Sequence, residues 1–225
     1  MEFFVEKAVL DAGVKIRFAV VEGLDNTVEN PIWHDERKRM QETLLDRYKD
    51  CDIRADPILE GYCQLHQQVG AAGQKETPAS IVLIQQLEEA GNLPFSNQVL
   101  DICRVISLDT KLALGVHDMD RTTGNVILRF SNGTERFVPR GQANPVPVNP
   151  REYCYCDAAN EVLCRLEACP ANKAAVDEQT HNAFFIVQGN RATPAVLLQQ
   201  TAQRLVDTTT RFCGGVGGVV APAVL

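Results

Sequence analysis

The sequence predicts an α+β fold in which mixed and antiparallel sheets pack against helices. Three observations support this fold class. Apolar residues recur at helical spacing in segments that begin after cap residues or prolines. Short apolar runs with the character of strands occur between turn signals. An Asn132-Gly133 pair separates two of these runs, and this dipeptide is typical of a two-residue turn in a β-hairpin.

The first strand and the first helix are predicted near the start of the chain. Val14 to Val21 becomes continuously apolar, as a strand that enters the interior of a sheet does, and Gly23 to Asn26 turns the chain. Asn30 is the predicted cap of the first helix, with Pro31 at its first position. Trp33 lies on the apolar stripe of that helix and is interpreted as a core residue.

Two more helices are predicted before residue 92. One covers Pro57 to Val69, and a glycine-containing loop from Gly70 to Glu76 follows it. Thr77 is the predicted cap of the next helix, with Pro78 at its first position, and Gly91 ends that helix. These helices are expected to support the stretch that follows.

The stretch from Gly91 to Arg129 is predicted to carry a short apolar helix. Ser96 is its expected N-cap. One face of the helix is apolar and is therefore expected to lie in the core. This face consists of Val99, Ile102, Cys103 and Ile106.

A loop from Gly115 to Asp120 is predicted next, and it places His117 beside Asp118 just before a strand from Asn125 to Phe130. A loop that brings ionisable groups to the edge of a sheet is a common way to build a pocket. The alternative is that the acids only shape a turn and that His117 is a hydrogen-bonded residue without chemistry.

The second half of the chain is predicted to contain a proline-rich connector, three strands and a helix. The helix begins at Thr193 and extends to about Thr210. The connector and the strands cover Gly141 to Pro150, Tyr153 to Cys156, Val162 to Leu166, and Asn182 to Gln188.

Composition indicates an ordinary globular protein. The chain has 225 residues, of which 45% are hydrophobic and 23% are charged, so it can bury a sizeable core. We expect one domain over residues 1–212, followed by a Gly/Val-rich tail over 213–225 that is either loose or a packed extension. No apolar run approaches membrane-spanning length, and the start lacks the pattern of a signal peptide. A cytoplasmic location without membrane contact is therefore expected.

The eight cysteines are expected to be reduced thiols. Cys154, Cys156, Cys164 and Cys169 cluster in sequence, but none of them forms the C-x-x-C pair that zinc sites commonly use. Buried, inert thiols are the favoured interpretation, and no metal or other cofactor is predicted.

Charge argues against a protein that binds nucleic acids without sequence preference, because the formal net charge is −7. The charge is uneven, however, since five arginines and a single acid, Glu135, lie between residues 121 and 151. A local basic face could seat the end of an RNA. Alternatively, these arginines are solvated side chains on strands. The four that are candidates for nucleic-acid binding are Arg121, Arg129, Arg136 and Arg140.

Several short motifs, in a fixed order, resemble a known family. LPFSNQVLDICRVISL, LALGVHDMD and GNVILR are similar to the tRNA-recognition and editing module of the phenylalanyl-tRNA synthetase β chain, the B3/4 domains, and above all to its stand-alone members. The similarity extends to about Phe212. Further matches are Gly23 to Asn26, Glu76 to Gly91, Phe137 to Gly141, Glu152 to Asp157, Cys164-Arg165, and Thr180 to Val187.

The resemblance implies the α+β fold of that editing domain and a tRNA or aminoacyl-tRNA partner, with a free amino acid as a further ligand. The implied reaction is hydrolysis of the ester that joins a wrong amino acid to the terminal ribose of a tRNA, so an enzyme of this kind would be an aminoacyl-tRNA deacylase. Because the ester is already activated, the site needs a placed water, donors for the oxyanion and a selective pocket.

The resemblance also implies the catalytic residues. His117 corresponds to the family's loop histidine, which positions or deprotonates the water, and Asp118 is expected to orient its ring. The family's Thr-Asn pair is replaced by Cys103 and Arg104. Its editing glutamate lies in the strand that here carries Ile186 and Gln188.

Other residues are expected to bind substrate. Arg104 could hold a carboxylate or phosphate, or be a solvated helix charge. Arg165 matches an arginine of the stand-alone relatives, and its alternative is an ion pair with Glu161 or Glu167. Thr180 and Asn182 could line the cavity or cap the strand, whereas His181 should point the other way.

Three functions stay open at this point. The first is a tRNA-recognition domain that hydrolyses mischarged aminoacyl-tRNA. The second is a non-catalytic protein that binds an amino acid or the tRNA acceptor end, which the changed pocket positions favour. The third is a different small-molecule enzyme with Cys103 as nucleophile and His117 as base.

Overall fold

The computed structural model describes residues 1–27, 30–49, 51–69 and 76–225. Two β-sheets face each other, and a layer of helices covers the outer face of the smaller sheet. The predicted α+β class is confirmed, because the helices and the strands form separate layers that share a core.

The larger sheet has the strand order β10-β1-β4-β5-β6-β7, and the smaller has the order β3-β8-β2-β9. The strands of the described residues are β1 (Phe3–Val5), β2 (Lys15–Glu22), β3 (Ala113–Asp118), β4 (Val126–Phe130), β5 (Tyr153–Cys156), β6 (Val162–Arg165), β7 (Cys169–Pro170), β8 (Asn182–Gly189), β9 (Val216–Val220) and β10 (Ala223–Val224).

The helices begin and end largely where local sequence signals predict. Asn30 caps α2, since its side chain accepts hydrogen bonds from the backbone N–H groups of Ile32 and Trp33. A short 3-10 helix covers Ile53–Ala55. The α-helices of the described residues are α1 (Lys7–Asp11), α2 (Pro31–Tyr48), α3 (Pro57–Val69), α4 (Ala79–Ala90), α5 (Gln98–Thr110) and α6 (Ala195–Cys213).

An aromatic core lies between the two sheets. The ring of Phe18 from β2 stacks on Phe3 from β1 with centroids 4.3 Å apart, and its edge meets Tyr155 from β5 at 6.4 Å. Phe184 from β8 lies 5.4 Å from Phe3. Because side chains alternate along a strand, the neighbouring positions of β2 and β8 face the helices instead.

The helix layer has its own core. Trp33 from α2 packs against Phe212 from α6 with ring centroids 5.2 Å apart. Its indole N–H donates to the Asp101 carboxylate at 3.0 Å, which satisfies a buried donor. The interpretation of Trp33 as a core residue is therefore confirmed.

The predicted hairpin at Asn132-Gly133 is wrong. β4 pairs with β1 in parallel and with β5 antiparallel, so the chain does not fold back directly after Phe130. The carboxylate of Glu135 fills the turn instead, since it accepts hydrogen bonds from the Ser131 hydroxyl and from the backbone N–H groups of Asn132 and Gly133. Hydrogen bonds to the Glu135 carboxylate thus replace the backbone hydrogen bonds of the predicted hairpin.

Two predicted helix caps are also corrected. Asn97, not Ser96, caps α5, because its side chain accepts from the backbone N–H of Leu100 at 3.0 Å. Pro78 is the N-cap of α4, so Thr77 lies outside that helix. Gly91 ends α4 in a left-handed conformation with φ 73°, as predicted.

Two loop predictions have different outcomes. The predicted loop Gly115 to Asp120 is largely strand, because β3 extends through Asp118 and pairs with β8. The predicted loop Gly70 to Glu76 falls, apart from Glu76, outside the described residues.

The C-terminal tail extends both sheets. β9 pairs with β2, and β10 pairs in parallel with β1. The approach to β2 requires glycine, since a Cβ at Gly217 would lie 2.2 Å from the carbonyl oxygen of Val20. Of the two expectations for this segment, the packed extension is confirmed, whereas a domain boundary at residue 212 stays a prediction.

Candidate functional site

His117 lies on β3, which is an edge strand of the smaller sheet. Its ring stacks on Phe184 of the neighbouring strand with centroids 5.1 Å apart and an interplanar angle of 26°. It therefore faces the larger sheet, on the same side as the aromatic core. Only 4% of the residue is exposed.

The imidazole of His117 is a buried polar group without a partner. Its Nε2 finds no hydrogen bond among the described residues. Burial, together with the positive charge of Arg140, lowers the pKa of His117 to about 4. The ring is therefore neutral near pH 7. A buried polar atom that lacks a partner is costly unless a ligand or water satisfies it.

The depressed pKa of His117 predicts acid sensitivity. The unfolded chain takes up a proton below pH 6.5, whereas the folded ring stays neutral until about pH 4. This residue should therefore remove up to about 3 kcal/mol of the free energy of unfolding as pH falls through that window. Urea titrations at several pH values measure this effect. As pH falls, the free energy of unfolding of His117→Phe should rise relative to that of the wild type. The exposed His181→Phe is the control, and parallel curves for wild type and His117→Phe would contradict the assignment.

The charge of Arg140 acts on both His117 and Arg104. The guanidinium of Arg104 donates to the Pro94 carbonyl oxygen and the Ser96 hydroxyl, both at 3.2 Å. Burial lowers the pKa of Arg104, and the charge of Arg140 contributes to this shift as it does at His117. Arg140 is thus close to both residues and has no ion-pair partner among those the structure describes. We call His117, Arg104 and Arg140 the β3-edge site.

Asp118 belongs to a different group. Its carboxylate accepts hydrogen bonds from the Thr180 hydroxyl at 2.7 Å and from the backbone N–H groups of Asp120 and Arg121 at 2.9 and 3.2 Å. Neighbouring residues on a strand point to opposite faces. The hypothesis that Asp118 orients the His117 ring is therefore corrected, because this carboxylate fixes the turn after β3.

Thr180 and Asn182 shape the start of β8. The Asn182 amide donates to the Asp120 carboxylate at 2.9 Å and accepts from the backbone N–H of Gly23 at 3.0 Å. With Thr180 bound to Asp118, both residues hold loops together at this end of the sheet. Their contacts agree with the alternative that they cap the start of the strand. His181 lies between them and is exposed.

Gln188 lies far from His117. His117 pairs with Phe184 across the strands, and Gln188 follows four residues later, roughly 13 Å along β8. The Gln188 amide donates to the Tyr153 hydroxyl at 2.9 Å and accepts from the Tyr155 hydroxyl. The structure therefore does not bring Gln188 to the β3-edge site.

Sequence reasoning missed a buried ionic group next to Gln188. His66 on α3 lies 2.7 Å from the carboxylate of Glu167, which also accepts from the Tyr153 hydroxyl. Burial disfavours the protonated ring, but the carboxylate of Glu167 outweighs it and raises the pKa of His66 to about 9. The two residues are 101 positions apart, so no local pattern could have revealed the pair. We call His66, Glu167, Tyr153 and Gln188 the buried network.

Arg165 borders this network as a structural residue. It forms ion pairs with Glu152 and Glu76, both at 2.7 Å, rather than with the expected Glu161 or Glu167. Its partners lie on a loop before β5 and just before α4. Arg165 therefore joins segments that are distant in the sequence.

Three of the four candidate RNA-binding arginines are in ion pairs. Arg121 binds Asp177 at 2.6 Å, Arg129 binds Glu135 at 2.5 Å and Arg136 binds Glu161 at 2.5 Å. An acid thus balances each of these charges. Arg140 differs from them, because no acid among the described residues forms an ion pair with it.

Cys103 lies in the helix-side core, behind the sheet that carries His117. Burial raises the pKa of its thiol to about 12. A reactive cysteine needs a lowered pKa and partial exposure, so this environment does not suit a nucleophile. No group of metal-ligating side chains occurs among the residues that the structure describes.

The family model of the B3/4 domain matches residues 64–213. The chain belongs to the B3/4 domain family. The resemblance predicted from its motifs is therefore confirmed. The match includes every member of the β3-edge site and the buried network.

One solved structure supports the fold of this B3/4 domain. It is an N-terminal fragment of the phenylalanyl-tRNA synthetase beta-subunit from Pyrococcus horikoshii, with a TM-score of 0.51 and 11% sequence identity. The alignment covers 100% of this chain and 51% of the fragment, so the chain spans about half of that fragment. No protein with curated annotation matches. Within the described ranges, no helix has the length and apolar character to span a membrane.

Proposed function

We propose that this B3/4 domain recognises the acceptor end of an aminoacyl-tRNA and hydrolyses the ester of a mischarged amino acid at the β3-edge site. One observation supports this proposal above the others. His117 presents a neutral, buried ring nitrogen without a partner, and the positive charge of Arg140 acts on it. A buried titratable group with a perturbed pKa and unmatched hydrogen-bonding capacity marks a candidate for chemistry.

The reaction follows from these groups. The ring nitrogen accepts a hydrogen bond from a water and aligns it with the ester carbonyl. The water oxygen bonds to the carbonyl carbon, the bond to the ribose oxygen breaks, and that oxygen leaves as a hydroxyl with the proton that the attacking water gives up. Arg104 and Arg140 supply positive charge for the developing oxyanion or for the nearby phosphate. Because its pKa is about 4, the role of His117 is to position the water more than to retain its proton.

The test is deacylation of tRNA charged with tyrosine and with a small panel of other wrong amino acids. His117→Ala is expected to slow turnover by about 10²-fold, the usual cost when a reacting water is no longer held in position. His181→Ala, which removes an exposed histidine, should retain the wild-type rate. The rate should show no titration near pH 6.5. Equal rates in wild type and His117→Ala, or no turnover of any substrate, would contradict the proposal.

A second candidate is a non-catalytic protein that binds an amino acid or the acceptor end. It is favoured by Gln188, which takes the family's glutamate position and is bound to tyrosines of the buried network. In this case Arg104 and Arg140 would hold a carboxylate or phosphate. An aminoacyl-adenosine analogue that raises the melting temperature of the wild type, but is not hydrolysed, would select this function.

The proposed setting follows from the proposed substrate. Transfer RNA or a synthetase subunit is the expected partner, and the cytoplasm is the expected compartment. The third alternative, a Cys103 enzyme, has no support in the surroundings of that thiol. The reaction uses no cofactor, since the activated ester and a positioned water are sufficient.

A further inference from the structure

A cleft separates α2 from the loop of residues 91–97, and its lining includes no member of the β3-edge site. Its volume is about 370 Å³, within the range of small-molecule sites. Among its lining residues are Arg37, Lys38 and Gln41 from α2 and Phe95 from the loop.

Phe95 offers an aromatic surface in this cleft. It is 39% exposed, which is unusual for a large apolar residue in this protein. The guanidinium of Arg37 lies 5.5 Å from the centre of its ring and donates to the Leu93 carbonyl oxygen at 2.7 Å. The same arginine lies 3.0 Å from the Asp101 carboxylate. These contacts hold the loop and leave the Phe95 ring accessible.

Gln41 supplies an unmatched donor at the same place. It is only 4% exposed, and its side-chain oxygen accepts from the backbone N–H of Leu93 at 3.0 Å. Its amide nitrogen has no acceptor among the described residues. A buried donor of this kind favours a ligand that carries a hydrogen-bond acceptor.

The charges around the cleft also limit the chemical class of its ligand. Lys38 is exposed, and within the described ranges no acid forms an ion pair with it, while Glu42 is the acid among the lining residues. The ligand should therefore combine an aromatic plane for Phe95, an acceptor for Gln41 and a negative group for Lys38. A nucleotide has all three, and aromatic stacking with a nearby cation is how proteins hold unpaired bases.

We propose that this cleft binds a nucleotide with an unpaired base, stacked on Phe95 and held by Gln41 and Lys38. The loop that carries Phe95 also contacts Arg104 through Pro94 and Ser96. The cleft and Arg104 thus contact the same loop. Nucleotide binding here does not depend on hydrolysis at His117.

Fluorescence anisotropy of a labelled, mixed-sequence single-stranded RNA octamer tests the proposal. Phe95→Ala should weaken binding by about fivefold or more, the usual cost of one lost base stack, whereas Phe95→Tyr should retain it. Lys38→Gln should weaken binding. It should also reduce the slope of log affinity against log salt concentration by about one, as expected when one phosphate contact is lost. Arg39→Gln is the matched control, because Arg39 lines a different cleft.

Two further binding measurements, with an RNA duplex and with free AMP, identify the source of the nucleotide. A duplex of the same sequence should bind at least about fivefold more weakly, because its bases are already stacked. If free AMP displaces the octamer at concentrations similar to those at which the octamer binds, the ligand is a mononucleotide. If displacement needs far higher AMP concentrations, the ligand is an RNA strand. Unchanged affinity in Phe95→Ala, or equal binding of duplex and single strand, would overturn the proposal. His117→Ala should bind the octamer normally, which separates this proposal from the hydrolytic one.

Discussion

Replacement of Glu167 by alanine is expected to lower the free energy of unfolding by about 3–5 kcal/mol, the usual cost of removing one partner of a buried ion pair. The variant leaves the buried His66 ring without its carboxylate partner and also leaves the Tyr153 hydroxyl without its acceptor. Chemical denaturation in urea at pH 7 measures the difference. Glu178→Ala, at an exposed position, should change stability by less than about 0.5 kcal/mol.

The pH dependence provides an internal check on this prediction. Since the pKa of His66 is about 9 when folded, the folded ring keeps its proton above pH 6.5, where the unfolded ring loses it. The pair therefore stabilises fully below pH 6.5, and up to about 3 kcal/mol is lost as pH rises to 9. Glu167→Gln should abolish this slope. A variant that keeps the slope would show that the carboxylate does not hold the proton.

Replacement of Phe18 by alanine is expected to cost about 3–5 kcal/mol, the usual cost of creating a cavity from a buried aromatic residue. Phe18 is fully buried between the sheets and contacts Phe3 and Tyr155. Thermal and urea unfolding should give the same ranking. Phe95→Ala is the matched control, because it removes a ring that is already accessible. Similar stabilities for the two variants would show that the aromatic core is not the main contact between the sheets.

Local signals predicted much of the fold. The boundaries of α3 and β5 were correct because proline, periodicity and flanking turns act within a few residues. β1 was not predicted, because three residues are too few to show the alternation of apolar and polar residues that marks a strand. The hairpin at Asn132-Gly133 failed because the Glu135 side chain satisfies the turn, and propensity does not describe such a contact.

The candidate site was only partly predictable. His117 was identified by resemblance, but its lack of a partner and its stack on Phe184 are tertiary facts. The proximity of Arg140 to Arg104 depends on how a loop from the larger sheet meets a helix. His66 had no signal at all, since its partner is a residue that only the folded β6–β7 turn brings into the core.

The pairing of β9 with β2 also determines how fast this protein can fold. The register joins Phe18 to Val220, so these hydrogen bonds close a loop of about 200 residues. Contacts between distant residues delay folding, because loop-closure entropy is lost before the contacts compensate for it. We expect folding on the order of milliseconds to seconds, as for other topologies dominated by long-range pairing. During that interval the edge of β2 is open to other chains, so dilute conditions should favour refolding.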